Sequence, residues 1–576
     1  MNVRTPLRAA LRRQSGVPRA GGQACRRFAS SSSWTSSSSS LRTGSGSNEK
    51  RWQYGAITFL TLSTLFLSRS LVHSDTEATK RPKGSESKHD DPYDKTHHPD
   101  EPKSFPHATA TEGLRVISSA ELSNHDTEAA GYWVAIDGVV WDVTEFIQSG
   151  AHPGGSKVLA QNTGRNATSV YKPLHPPGTI EDNLDPKFKV GIIDPSEANS
   201  LAPEQSEAEK KLQEARDNMM GVDGMVNLDD FEKLARTILS PAALAYYESG
   251  SDDEWTLHEN NNAYRRIRFR PRVLRKVKEV DTSTEILGVK STVPFFIAPA
   301  ALAKLGHPDG EVNLTKGAAE TGIVQVISSN ASCSLEELAE ARAPDQTLMW
   351  QYYVAADRGR AEKTLRKALD LGMQSIWVTV DAPVGGKRER DMKEKIARDP
   401  DAKRASGSAS TSAAQFAYVD PDLSWEDVTW IQKIAVGKPI VIKGISCVED
   451  AVLALEHGCK GIVLSNHGGR QLDGARAPIE VLQEIRRERP DLCDKMEIYV
   501  DGGIRRGTDV LKALCLGAKA VGIGRPFLYA QSAYGPDGVV KVVEILKEEM
   551  ATGMRLLGVN NVSELKPSLV DCLPLS

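Results

Sequence analysis

Cysteine is scarce in this chain: seven among 576 residues, with no Cys-x-x-Cys pair and no Cys/His spacing of a zinc site. Neither a disulfide framework nor a structural metal knot is supported. Charge of one sign is also missing, since 72 Lys and Arg stand against 76 Asp and Glu for a formal net charge of −4. That balance leaves no electrostatic footprint for nucleic acid. In the C-terminal part, no Gly-x-Gly-x-x-Gly run opens a helix after the first strand candidate, which weakens a dinucleotide-binding doubly wound sheet. A full membrane span needs about twenty apolar residues. The uncharged run Trp52 to Ser68, flanked by Arg51 and Arg69, has seventeen.

What is present changes character along the chain. Residues 1–51 hold ten Lys or Arg and one acid, Glu49, with a Ser-rich run from Ser30 to Ser40. This is the composition of a mitochondrial presequence, a disordered basic arm being the bland alternative. The apolar segment in 52–72 reads as a short sorting or anchor element. Together they point to the mitochondrial intermembrane space, possible inner-membrane contact running through 52–68. Residues 73–112 are polar and His- and Pro-bearing, so they form a linker. Residues 113–195 read as a small domain, and 196–227, charged and poor in apolar side chains, as a hinge between domains able to move. Residues 228–576 form the large domain.

In the small domain, Tyr132 to Val143 reads as two short strands about an Asp-Gly turn, and Thr144-Glu145-Phe146 begins a helix. His152, in His-Pro-Gly-Gly, and His175, in Lys-Pro-Leu-His-Pro-Pro, lie twenty-three residues apart. Two neutral imidazoles opposed across an apolar slot are what a six-coordinate haem iron requires. A lone His is more often a satisfied surface residue, but here WDVTEF, HPGG and the second His agree. The segment resembles a cytochrome b5-type haem domain, a small α+β fold, and the resemblance implies that His152 and His175 are the axial ligands of haem b. Ten acids against six bases in this stretch suit a basic redox partner, although a solvated surface accounts for them equally well.

The large domain alternates apolar runs with amphipathic helices. Strand candidates are Pro294–Ala298, Ile323–Ile327, Leu348–Tyr352, Ser375–Val380, Pro439–Lys443, Gly461–Leu464, Glu497–Val500 and Ala520–Ile523. Helical patterns include Gly310–Thr321, Arg360–Leu371, Val448–His457, Ile479–Arg489 and Thr508–Leu516. Eight such units in about 250 residues match an α/β (β/α)8 TIM barrel, with a doubly wound sheet as runner-up. Met392 to Ala417 is polar without periodicity and reads as a mobile loop beside the mouth.

In a barrel, residues that close the strands share one mouth. Here they are Pro299, Ala300 and Ala301; Ser328; Gln351 and Tyr353; Thr379 and Asp381; Lys443; His467 to Arg470; Asp501, Gly502, Gly503 and Arg505; and Gly524 and Arg525. Any one alone is better explained as structural; all of them at one end are not. DGGIRRG and GIGRPF, after the seventh and eighth strands, suit a phosphate held by backbone N–H groups and two arginines. Lys443 would place a cation beside a bound ring. A phosphorylated flavin fits better than a nicotinamide, and a phosphosugar remains an alternative from these residues alone. SNHGGRQLD, Ser465 to Asp473, offers a base that titrates near neutrality (His467), a bidentate carboxylate clamp (Arg470) and two glycines that would let a flat group approach the backbone.

SNHGGRQLD, DGGIRRGTDVLKAL, GIGRPFLY and AYYESG together closely resemble the FMN-dependent L-2-hydroxy-acid-oxidising family, from about Leu228 onward. A cytochrome b5-type domain ahead of such a barrel resembles the flavocytochrome b2 group, the L-lactate:cytochrome c oxidoreductases of fungal mitochondria. The resemblance implies FMN and haem b as cofactors, L-lactate or a related 2-hydroxy acid as substrate, cytochrome c as acceptor and a homotetramer. It also implies that His467 accepts the proton, that Asp381 holds the imidazolium, that Tyr353 hydrogen-bonds the substrate or transition state, and that Arg470 and Tyr246 hold the carboxylate, with Arg388 a positive group nearby. Ser328, Gln351, Thr379 and Lys443 would meet the flavin ring and ribityl chain, and Asp501, Gly503, Arg505, Gly524 and Arg525 the ribityl and phosphate end. Hydride and carbanion routes are both served. Asn330 departs from the family, which usually has a larger apolar or aromatic residue lining the substrate side chain, and so leaves the preferred acid open. The alternatives are a mandelate- or glycolate-type enzyme, an oxidase, or a haem carrier with an inactive barrel.

Overall fold

The structure, a computed structural model, describes residues 114–150, 152, 156–175, 177–197, 206–398, 416 and 418–573. The presequence, the apolar segment and the linker assigned to 1–51, 52–72 and 73–112 lie outside these residues. Among the described residues no helix is long and apolar enough to cross a membrane.

The small domain is built on a five-stranded sheet of β1 (Val116–Ile117), β2 (Asp126–Thr127), β3 (Gly131–Ile136), β4 (Val139–Asp142) and β5 (Lys189–Ile193), in the order β1-β5-β4-β3-β2. Asp137 and Gly138 both take positive φ, 52° and 79°, as a two-residue type I′ hairpin requires. Ile136 therefore faces Val139 across the turn. Side chains alternate across the sheet: Val134, Ile136, Trp141 and Val143 pack on one face, Ala135 and Val140 with Ile117 and Leu122 on the other.

The stretch 206–227, expected as part of a free hinge, is tied to the large domain. The helix Glu207–Asp217 starts at a capping box of Ser206 and Glu209. Arg216 donates to the carbonyls of Ser532 and Gly306, each at 2.9 Å. Its apolar side packs under the helix Leu228–Ile238, where Ala215 and Met219 join the core.

The large domain is a closed parallel barrel of β9 (Phe295–Ile297), β10 (Gln325–Ile327), β11 (Leu348–Tyr352), β12 (Ile376–Thr379), β13 (Ile440–Ile445), β14 (Gly461–Leu464), β15 (Glu497–Asp501) and β16 (Ala520–Ile523), β16 pairing back to β9. All eight expected strands form, within one to two residues of their ends. The interior is filled rather than hollow: Phe296, Trp377 and Tyr499 meet in T-shaped and stacked contacts of 5.1–5.7 Å, layered with Val326, Met349, Val441 and Val463. The hairpin of β7 (Thr284–Ile286) and β8 (Val289–Ser291) plugs the N-terminal end with Ile286 and Leu287. Chemistry is thereby confined to the opposite mouth. Outside, β6 (Ile267–Phe269) pairs antiparallel with β17 (Val570–Cys572).

One expectation fails at the mouth. Residues 392–398 are not loop but the body of a helix, Glu389–Arg398. Lys393 pairs with Glu389 one turn back at 3.0 Å and Asp391 is buried; the charge-rich sequence hid a helix whose apolar residues are only Met392, Ile396 and Ala397. Residues 399–415 and 417 lie outside the described set.

Candidate active site

The mouth is organised by the loop after β14. His467, Gly468 and Gly469 take three successive left-handed conformations, φ 59°, 67° and 76°. For His467 this is a strained choice of about 1–2 kcal/mol. The neighbours over-determine it. Asn466 and Asn260 exchange two amide hydrogen bonds of 2.6 and 2.8 Å. Ser465 Oγ accepts from His467 N and from Lys443 Nζ, both at 3.0 Å. Gln471 Nε2 donates to the carbonyls of Asp381 and Val384 at 2.8 Å, and Asp473 accepts from Thr256 N at the head of the helix Trp255–Asn262.

This corrects one expectation about the glycines. A Cβ on Gly469 would stand 2.6 Å from the Leu257 backbone, and one on Gly503 2.1 Å from the Asn260 carbonyl. Both are small so that the helix Trp255–Asn262 can seat against them, not so that a flat ligand can approach. Gly468 does line the cavity, with the Arg525 guanidinium beneath it.

The turn aims His467 between two groups. Its Nδ1–H donates to Asp381 Oδ1 at 2.8 Å, and its Nε2 lies 3.3 Å from the Tyr353 hydroxyl. Nε2 is therefore the acceptor on the cavity side, where the Tyr353 hydroxyl donates to it. Burial pushes the imidazole pKa below its usual value, and Asp381 opposes this without reversing it. Burial alone would raise Asp381, but His467 and Lys443 leave it below the ordinary carboxylate value. Asp381 does not line the cavity; it stands behind the base and acts through it. Desolvation also holds the Tyr353 phenol well above its usual pKa, so it stays a donor.

Two guanidinium groups flank the base. The Tyr246 ring lies between them, 5.0 Å from Arg470 Cζ and 5.9 Å from Arg388 Cζ. Arg470 spends Nη1 on the carbonyls of Tyr246 and Ser249, at 2.7 and 3.0 Å, where the helix Pro241–Glu248 ends and its dipole favours a cation. The residue itself lines the cavity. Arg388 is 2% exposed, and its Nε and Nη1 have no hydrogen-bond partner. Burial and the neighbouring Arg470 push its pKa far down, as expected of a cation whose counter-ion is a ligand.

The remaining expected residues form the opposite wall. Ser328 Oγ and Ser329 N donate to Gln351 Oε1 at 3.3 and 3.2 Å, and Gln351 Nε2 donates to Thr379 Oγ1 at 2.9 Å. Pro299, Ala300 and Ala301 close this side of the same cavity. Lys443 pairs with Asp501 at 3.3 Å; burial would lower the amine's pKa, yet Asp501 and Asp381 hold it above the ordinary value. Asp501 Oδ1 is buried without a partner. Gly502, Gly503, Arg505, Gly524 and Arg525 complete the far end. Gly524 has open space where a Cβ would stand and opens the helix beginning at Arg525, a ready anion site. Arg505 is shared with Glu232 at 3.5 Å. Arg525 donates to the carbonyls of Tyr247, Gly468 and Ser249, so it stitches two loops together while presenting its charge to the cavity.

In the small domain, the His152 and His175 rings face each other with centroids 6.1 Å apart. One ion bonded at roughly 2 Å to each imidazole needs about that separation once half a ring is added on either side. His175 Nδ1 donates to the Tyr171 carbonyl at 3.0 Å, which leaves Nε2 as the ligating atom.

Four contributors were not singled out in the sequence. Gly444 (φ 115°) lets Asp381 approach, since a Cβ there would lie 2.6 Å from the Asp381 Cβ; an isolated Gly in a strand run is the signal for such a bulge. Asn260 was visible as one of three consecutive asparagines, an odd choice for a helix. Gln471 was hidden inside its motif, and Phe416, which lines the cavity, inside the stretch read as loop.

Family models place this geometry. Residues 235–572 match the FMN-dependent dehydrogenase model, more than half of the chain, and residues 118–194 match the cytochrome b5-like heme/steroid binding domain. The chain belongs to the FMN-dependent dehydrogenase family. Within that family it is 49% identical over 458 residues to the L-lactate dehydrogenase (cytochrome) of Wickerhamomyces anomalus, covering 78% of this chain and 79% of that protein. It is 45% identical to the L-lactate dehydrogenase (cytochrome) of Saccharomyces cerevisiae over 473 residues, 79% of each. Among solved structures, a mutant flavocytochrome b2 with pyruvate bound superposes with a TM-score of 0.59 at 46% identity, over 64% of this chain and 92% of that one. An FMN-dependent dehydrogenase barrel preceded by a cytochrome b5-like domain is an FMN- and haem-dependent oxidoreductase. The residues present fit both groups: an unpartnered Asp501 oxygen and an open Gly524 cradle for a phosphorylated polyhydroxyl chain, and two facing imidazoles for an iron.

Proposed function

We propose that this FMN-dependent dehydrogenase oxidises L-lactate to pyruvate and passes the electrons singly, through its haem domain, to cytochrome c in the mitochondrial intermembrane space. The observation that carries the reading is the pairing of a carboxylate-backed base with two guanidinium groups, one of them buried with two unpartnered nitrogens, all on one cavity. A 2-hydroxy acid presents the complementary groups. Its carboxylate meets Arg470 and Arg388, with Tyr246 holding the two guanidinium groups apart. Its hydroxyl meets His467 Nε2, which takes the proton, while Asp381 stabilises the imidazolium that results. Tyr353 donates to the substrate oxygen and fixes its orientation. FMN, when bound, supplies a two-electron acceptor at C2 of the acid and haem a one-electron relay. The wall of Ser328, Gln351, Thr379, Lys443 and Asp501 would hold the flavin, and Gly524 with Arg505 and Arg525 its phosphate. The names of the two fungal relatives support lactate as substrate and a cytochrome as acceptor, and the presequence composition supports the compartment. The reading extends to a homotetramer, as the family resemblance implies, and to inner-membrane contact through the apolar run 52–68, on its composition.

The test is spectroscopic. Mixed anaerobically with L-lactate, the purified holoenzyme should lose flavin absorbance, then gain the bands of reduced haem, and then reduce added cytochrome c. Flavin that stays oxidised overturns the substrate; flavin that bleaches beside an oxidised haem overturns the relay. Fractionation of mitochondria checks the compartment.

A further inference from the structure

We propose that the substrate's C3 position is read by a polar pair, Asn330 and Tyr418, so that the site turns over 2,3-dihydroxy acids, L-glycerate being the smallest; this rests on the 2-hydroxy-acid reading above. Asn330 follows β10, is 6% exposed and lines the same cavity as His467, Tyr353 and Arg388. The Tyr418 hydroxyl donates to its Oδ1 at 2.8 Å, and its own backbone N–H donates to Ser328 Oγ at 3.2 Å. The side chain is therefore held in place, yet its amide N–H groups have no protein acceptor among the described residues.

With the acid's carboxylate on Arg470 and Arg388 and its hydroxyl on His467, the C3 substituent is the part left to meet this amide. A methyl or longer alkyl group would cover a buried donor without satisfying it, whereas a hydroxyl satisfies it. If the amide is turned over, Tyr418 accepts and the free group is the carbonyl; a hydroxyl, both donor and acceptor, serves either orientation. A second carboxylate fits less well, because Lys443 is already paired with Asp501 and Arg360, over the Tyr418 ring, has a partner of its own. Phe416, which also lines the cavity and packs on Tyr353, limits the length of the substituent.

The experiment measures kcat/KM for L-glycerate, L-lactate and L-2-hydroxybutyrate by anaerobic flavin reduction in the holoenzyme, in Asn330→Leu and in Tyr418→Phe. One hydrogen bond in a buried site corresponds to about tenfold. Asn330→Leu should lower the glycerate-to-lactate ratio by about that factor and favour 2-hydroxybutyrate; Tyr418→Phe should move the ratio in the same direction by less. If Asn330→Leu does not retain flavin, Tyr418→Phe, which removes a single oxygen, carries the test alone. Lactate turnover with a ratio unmoved in the variants, or no glycerate turnover by the parent, overturns this inference alone. Flavin that no 2-hydroxy acid reduces overturns the parent reading and this one with it.

Discussion

Replacing Asp381 by Asn removes a charge while keeping an oxygen where His467 Nδ1 finds its partner at 2.8 Å. The imidazole can hold its tautomer, so the change isolates the electrostatic support of the imidazolium. Two unit charges about 4 Å apart in a site of effective dielectric about 20 attract by about 4 kcal/mol, an upper bound near a thousandfold in rate. Lys443, which also lies within reach of both groups, repels the imidazolium and opposes part of this. The expected fall in kcat for flavin reduction by L-lactate is therefore about 10²–10³-fold, in the range that general-base catalysis contributes. Asp381 does not line the cavity, so flavin content and the visible spectrum should be unchanged. The pH profile supplies a second readout. Burial sets the His467 pKa below its usual value and Asp381 raises it part of the way back. In the parent, kcat/KM should hold through the ordinary imidazole range and fall only at lower pH, as Nε2 becomes protonated. Without the carboxylate the pKa drops further, and the acid limb should move to still lower pH while the plateau falls. A plateau within threefold of the parent, or an acid limb displaced upward, would refute the assigned pair.

Gly444→Ala should lower the melting temperature and kcat together, because a side chain at φ 115° abuts the Asp381 Cβ; about 1–3 kcal/mol is at stake, and a variant as stable and active as the parent would show that Asp381 needs no such close approach. Arg388→Met should raise the KM for lactate by about 10–100-fold, the loss of a charge-assisted contact, without lowering the melting temperature, since the guanidinium is buried with Nε and Nη1 unpartnered. Lost stability with an unchanged KM would make it a structural cation instead. His175→Ala should abolish the haem Soret band and cytochrome c reduction while lactate still bleaches the flavin; a retained Soret band would reassign the ligand.

Fold and site were legible to different depths. The eight strands were readable because a fully buried parallel strand is a short apolar run bounded by polar or Gly-rich ends, and β11, β14 and β16 agree with that reading to the residue. Strand ends then fixed one mouth, and the residues expected there line one cavity, save Asp381 behind the base and Gly469 against the helix Trp255–Asn262. What resisted reading was second-hand geometry. The helix Glu389–Arg398 carries only Met392, Ile396 and Ala397 among seven charged residues, too short an apolar stripe for periodicity to find. Asn260 and Gly444 act through backbone proximity across more than fifty residues of sequence, which no local pattern records. Gly469 of SNHGGRQLD was marked as special correctly but for the wrong neighbour, a helix backbone, whereas Gly468 lines the cavity beside Arg525.

A contrast between two buried carboxylates separates scaffold from site within the same barrel. Glu311 is 2% exposed and saturated: Oε1 accepts from Ala303 N and Ser332 N, and Oε2 from the Ser332 hydroxyl and Cys333 N. It ties two loops together and leaves nothing over. Asp501 is 7% exposed and half-satisfied, with Oδ2 on Lys443 and Oδ1 on nothing. Arg388, with two orphaned nitrogens, and Asp381, with an orphaned Oδ2, stand in the same condition. Leaving a buried polar group unmatched costs about 1–3 kcal/mol each, and the protein tolerates three of them within one mouth while it satisfies Glu311 completely. Such a cluster is stable only if the scaffold beneath is rigid, as the aromatic plug of Phe296, Trp377 and Tyr499 makes it. It also defines what must enter: hydroxyls for Asp501, a carboxylate for Arg388, and positive charge on His467 for Asp381. Asp501 and Arg388 are thus the imprint of the ligand, while the charge of Asp381, already bonded to Nδ1–H, is balanced more fully as the base takes its proton at Nε2.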